Sequence, residues 1–107
     1  MLYRVITTMF NDVLELLTIT YTVDALGQQL PQETAETIFC RLKSIPSQEY
    51  FNTAKQGIKS RYIFIVKQCD YNDQIKVRYK NKIYHVYRTY EIDREEIELY
   101  VEIKGGE

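Results

Sequence analysis

From Leu16 to Val23 the chain alternates, with Leu17, Ile19, Tyr21 and Val23 on one face and Thr18, Thr20 and Thr22 on the other. A period of two with β-branched residues predicts a strand with one buried face. Asp24 to Gln29 supplies turn chemistry, with Gly27 free to take positive φ. Residues 34–45 read as the returning strand, with Ile38, Cys40 and Leu42 pointing one way and Thr37, Arg41 and Lys43 the other. The alternation stops at Ile45. Pro46 disfavours a continuing central strand. Ser47 is the expected helix N-cap, and Glu49 suits the positive end of the helix dipole. A short helix over Gln48–Gln56 follows, with Gly57 as its stop and Tyr50, Phe51 and Ala54 as its apolar stripe. So short a helix must pack on something to persist.

Strand patterns resume at Arg61. Tyr62, Phe64 and Val66 share one face and Ile63 and Ile65 the other, which predicts a central strand covered on both sides. Asp70–Asp73 reads as a turn. Ile75, Val77 and Tyr79 then alternate with Lys76, Arg78 and Lys80. Asn81-Lys82 is the expected hairpin turn, leading into a strand from Ile83 to Glu91. A last strand covers Ile97–Ile103, and residues 105–107 read as a frayed tail. About six strands and one helical insertion predict a mainly β fold, a small closed or nearly closed barrel in one domain spanning residues 1–107. There is no repeat or Pro/Gly/Ser-rich linker to divide it.

Charge is polarised along the chain although the net value is −1. Residues 1–54 hold 3 basic and 6 acidic side chains, residues 55–90 hold 9 and 2, and residues 91–107 hold 2 and 7. A phosphate-gripping domain is normally basic overall. Bipolarity suits self-association or compensating neighbour strands, and the Lys76/Arg78/Lys80 and Glu98/Glu102 faces are expected near each other. The 10 tyrosines, beside 4 Phe and no Trp, fit half-buried strand positions or an interaction surface. Cys40 and Cys69 read as partly buried free thiols. No apolar run approaches the ~20 residues of a membrane helix. The first residues lack a basic stretch leading into a long apolar one, so synthesis in the cytoplasm is expected.

The search for catalytic chemistry is empty. His85 is the sole histidine and sits among strand aromatics. One His and two separated Cys fall short of a structural zinc set. There is no phosphate loop and no nucleophile elbow. Asp70–Asp73 lacks the spacing of a calcium loop. The expectation is no enzyme, no metal and no cofactor. Basic residues interleaved with aromatics from Lys76 to Arg88 leave open a barrel that binds single-stranded nucleic acid.

Several local patterns occur in the order found in one family. They are Thr18–Gly27; Glu33-Thr34 running to Ile38-Phe39-Cys40 and Ser44-Ile45; Gln48-Glu49-Tyr50-Phe51 with Ala54 and Gly57-Ile58-Lys59; Asp70-Tyr71; Tyr79–Tyr90; and Ile97–Tyr100. Together the chain resembles the head-closure, or head–tail connector "stopper", proteins of siphovirus-type tailed phages and related prophages. The likeness covers about residues 17–104. Asn81 stands where the family pattern has glycine, and residues 1–11 match nothing in it.

The resemblance implies a six-stranded SH3/Tudor-like barrel with a short helix in a long inter-strand loop. It implies self-association on assembly into a ring, dodecameric in the family, from a monomer when free. The ring would sit below portal and adaptor proteins, close the DNA exit channel and dock tail proteins, at the head–tail interface of the virion after assembly in the host cytoplasm. Packaged DNA would pass without sequence-specific binding, and no membrane is involved. The channel-gating loop maps onto residues 46–60, with Ser47, Gln48, Glu49, Tyr50, Phe51, Lys55, Gln56 and Lys59 as its site residues. Tyr84, Tyr87, Arg88 and Tyr90 form the expected interaction surface. A tail-completion component is the neighbouring alternative.

Overall fold

A computed structural model describes residues 12–103, so the N-terminal segment 1–11 and the tail 105–107 lie outside the described residues. Six strands form a closed antiparallel barrel: β1 (Asp12–Val23), β2 (Gln29–Lys43), β3 (Ser60–Lys67), β4 (Lys76–Tyr79), β5 (Lys82–Glu91) and β6 (Glu96–Glu102). Around the barrel the order is β1-β2-β3-β6-β5-β4, and β4 pairs back onto β1. One helix, α1 (Ser47–Ala54), lies between β2 and β3. The expected fold is therefore present, and closure removes the sheet edges within the wall.

The interior is filled by one face of each strand. Leu14 and Leu16, Ile38 and Cys40, Phe64 and Val66, Val77 and Tyr79, Tyr84, and Leu99 and Val101 form the core cluster. Tyr62 brings Phe64, Tyr79 and Tyr84 together, with centroids 5.4–5.5 Å away. The double burial expected for β3 holds, since Ile63 and Ile65 are buried as well as Phe64 and Val66. On the outer face Ile63 pairs across to Lys43 and Tyr100, and Ile65 to Arg41 and Glu98. The long stems of such side chains cover apolar neighbours while their heads stay in water.

The first hairpin departs from expectation. β1 pairs with β2 along the whole of β1, from Asp12↔Cys40 to Val23↔Gln29. β4 reaches β1 only at Glu15–Leu17, and β3 reaches β2 only at Arg41–Lys43. Beyond these points the hairpin leaves the barrel as an arm. Ile19, Tyr21 and Val23, the row that alternation marks for burial, are exposed, at 63% for Tyr21 and 68% for Val23. Alternation identifies residues that share a face; it does not supply a layer to cover that face. The arm contributes to principal extents of 58 × 38 × 26 Å and a radius of gyration of 16.0 Å, against about 13 Å for a compact domain of this size.

The arm's tip is a defined turn. Leu26 and Gln28 donate their N–H groups to Asp24 Oδ1 at 2.9 and 2.8 Å, and Gly27 N–H to the Asp24 carbonyl at 3.0 Å. Gly27 sits at φ 80°, where a side chain would be strained. The long β2 edge carries Pro31, Glu33 and Glu36, which blunt strand addition.

Other differences are local. The β4–β5 turn is Lys80-Asn81 rather than Asn81-Lys82, because both of its residues take positive φ (50° and 66°) while Lys82 pairs with Tyr79. Ile75 precedes β4 and is exposed. Ser47 does not cap α1: Pro46 occupies the cap position and no side chain bonds there. Gly57 does end the helical segment, at φ 79°. Ile58 N–H reaches the Thr53 carbonyl and Gly57 N–H the Ala54 carbonyl, both at 3.0 Å, in a Schellman closure.

Candidate interaction surface

Two groups of residues singled out from the sequence meet in space. Glu49, in the first turn of α1, reaches across to β5. Tyr87 donates its hydroxyl to Glu49 Oε2 at 2.8 Å, and Arg88 Nη2 lies 2.7 Å from Glu49 Oε1. The Tyr87 hydroxyl is also 2.7 Å from Ser60 Oγ, which is 2.7 Å from Thr53 Oγ1. Each hydroxyl has one proton. With Tyr87 donating to Glu49, Ser60 donates to Tyr87, and Thr53 divides its proton between Ser60 and the Glu49 carbonyl at 2.8 Å. Thr53 and Ser60 are buried, so this relay fastens the helix to the barrel from within. The 46–60 segment is thus latched, with Glu49 as the bolt.

The latch continues outward. The Arg88 guanidinium stacks over the Tyr100 ring at 3.9 Å. Tyr100 donates to Glu98 Oε1 at 2.7 Å, and Lys43 closes the chain on Glu98 Oε2 at 2.7 Å. Glu98 is only 3% exposed. Burial by itself raises its pKa, but the Lys43 and Tyr100 hydrogen bonds outweigh burial and hold it below the ordinary carboxylate value. Burial pushes Tyr87 and Tyr100 up to about 12, with their carboxylate partners adding to the shift. Burial lowers the Arg88 pKa, but the neighbouring Glu49 more than offsets this and the net direction is up.

The remaining predicted residues divide by exposure. Ser47, Gln48, Lys55, Gln56 and Lys59 are exposed, as are Tyr50 and Phe51, whose rings meet edge to face at 5.8 Å. Tyr90 is exposed. Tyr84 is 3% exposed and packs in the core, so it presents no contact surface. Its strand position gives the same period-two signal as Tyr90; the register shift in β5 between Val86 and Arg88 turns the later residues over, so Tyr90, opposite Glu98, faces outward.

The basic stretch is neutralised in part by the first hairpin. Lys76 pairs with Glu33 at 3.0 Å and Arg78 with Glu15 at 3.1 Å. The expected juxtaposition with Glu98 and Glu102 does not occur, because β4 lies between β1 and β5. His85 of β5 pairs across to Glu102 instead. Cys40 is buried, with burial pushing its thiol to about 12, whereas Cys69 is exposed rather than half-buried. Among the described residues no group of His, Cys, Asp and Glu could hold a metal ion, and no helix is long and apolar enough to cross a membrane.

Sequence reasoning missed the arm as a surface, and it missed a groove between α1 and the barrel end. This groove has a volume of about 390 Å³ and is walled by Tyr50, Ala54, Gly57 and Ile58, with Lys59 and Arg61 also lining it.

No protein-family model matches the chain, and no curated protein does. Among solved structures it is similar to the solution structure of protein SF1141 from Shigella flexneri 2a. The TM-score is 0.68 over 94% of this chain and 97% of that one, at 13% identity. At that identity the likeness establishes a shared fold.

Proposed function

We propose that this chain is a structural connector component of a tailed phage or prophage: a head-closure protein that assembles as a ring at the head–tail interface. The observation that carries the reading is the division of the molecule into a self-sufficient barrel and two outward elements. One is the arm, with its uncovered Ile19, Tyr21 and Val23; the other is α1, with its uncovered Tyr50 and Phe51. Contiguous exposed apolar residues mark contact surfaces. The order of sequence patterns supplies the assembly context. In this reading the mechanism is steric and associative, and the Glu49 latch holds the 46–60 segment against the barrel until neighbours or channel opening compete for Glu49. The ring's multivalency makes up for weak single contacts.

The test is reconstitution. Purified protein added to adaptor-loaded portals should form a ring below the adaptor, visible by electron microscopy. A protein that binds tail tubes and ignores adaptor-loaded portals would be a tail-completion component instead. Salt-dependent oligonucleotide binding by the monomer without any portal binding would favour a nucleic-acid barrel.

A further inference from the structure

The arm tip and the α1 groove are complementary, and one molecule cannot join them. The tip presents Leu26, 83% exposed, on a turn already locked by Asp24. Both bonds to Asp24 use Oδ1, which leaves Oδ2 for an incoming cation. From Thr18 to Glu36 the arm carries three carboxylates (Asp24, Glu33 and Glu36) and no cation. The groove has the opposite character: apolar walls from Tyr50, Ala54 and Ile58, with Lys59 and Arg61 as its cations.

β2 begins at the tip and runs away from it to Lys43, which pairs with Ile63 near the start of β3. The groove lies at that far end, formed by α1, residues 57–61 and Ile103 after β6. Tip and groove therefore occupy opposite ends of the barrel strands, and only another copy can supply the missing half.

We propose that the tip of one copy seats in the α1 groove of the next, with Leu26 between Tyr50 and Ile58 and Asp24 facing Lys59 and Arg61. This deepens the ring reading above and rests on it. The contact joins two different patches, so it is heterologous and propagates from copy to copy; it closes into a ring when the rotation per copy allows. The tip is pre-ordered, so docking loses little conformational freedom.

The test is a disulfide trap in a Cys69→Ser background. Leu26→Cys with Ala54→Cys, oxidised at high concentration, should give a ladder of dimers, trimers and larger species containing a 26–54 cross-linked peptide. Either substitution alone should stop at dimers. Leu26→Cys with Asn72→Cys, on a loop remote from the groove, should not give the ladder. Circular dichroism checks that each variant is folded. A second measurement needs no cysteine: on adaptor-loaded portals, where the copies are brought together, Leu26→Asp should weaken ring formation by at least about tenfold relative to the unaltered chain, and equal ring formation by the two would count against the contact. A ladder no stronger than the Asn72→Cys control, or cross-links only between tips, overturns the contact. If that happens while the protein still forms rings on adaptor-loaded portals, the connector role survives and the arm contact alone is wrong.

Discussion

The same two strands build the barrel wall and the arm, yet they obey different rules on either side of Leu17. Below it, Leu14, Leu16, Ile38 and Cys40 lie in a core closed by four other strands. Above it, the core-facing row becomes Thr18, Thr20 and Thr22, while the apolar residues Ile19, Tyr21 and Val23 lie on the opposite face, in line with Leu17, with no layer over them. A two-stranded hairpin is marginal by itself in water. The arm is held by its continuity with the wall and by Glu33, which pairs with Lys76 at 3.0 Å and lies 3.8 Å from Arg78. An alternation thus records where a strand has an apolar partner, but that partner need not belong to the same chain.

The largest way to separate the two regions is truncation. Phe64→Ala in the wall should cost about 3–5 kcal/mol, since Phe64 is fully buried in the core. Tyr21→Ala in the arm should stay within about 0.5 kcal/mol. Chemical denaturation measures both; equal costs would mean that the arm is covered in solution.

The next contrast uses pH. Tyr71, Tyr79, Tyr87 and Tyr100 are held at about 12 by burial, each helped by neighbouring groups. A tyrosine in the unfolded chain ionises near 10. These groups therefore favour the fold fully below pH ~10, and that contribution is lost as pH climbs through about 12. Base should unfold the barrel over this window, with a late tyrosine absorbance change coincident with loss of circular dichroism. At the acid end Glu98 works in the opposite sense: its lowered pKa stabilises the fold above the ordinary carboxylate range, and that stability is lost as pH falls through the folded value.

A smaller effect probes the latch. Ser60→Ala removes the hydroxyl that joins Thr53 to Tyr87 and should cost about 1 kcal/mol, because buried Thr53 and half-buried Tyr87 each lose one of their partners. Glu49→Gln should leave the barrel folded but speed tryptic cleavage at Lys55 and Lys59. Unchanged cleavage would show that Glu49 does not fasten the segment. The smallest difference is chemical: a thiol reagent should modify Cys69 at once and Cys40 only on unfolding.

Much of this was legible from residue order. The inward faces of β3, β4 and β6, the helical break after Ile45 and the stop at Gly57 follow from period and turn chemistry. The arm did not, because Leu17 and Ile19 have the same parity and differ only in that β4, which starts at Lys76, reaches Leu17 and not Ile19. The Glu49–Tyr87–Ser60–Thr53 relay joins residues 38 positions apart, and no local pattern encodes such a meeting. Ser47 lies one residue inside the cap position, because the Pro46 carbonyl accepts the first helical hydrogen bond, from Tyr50 N–H at 3.1 Å.

The assembly role faces its most direct test in filled heads. Heads from a phage or prophage deleted for this gene should leak DNA, measured as nuclease-sensitive genome after purification, and should fail to join tails. Supplying the protein should restore nuclease protection and tail joining. Heads that keep their DNA and acquire tails without it would contradict the connector account.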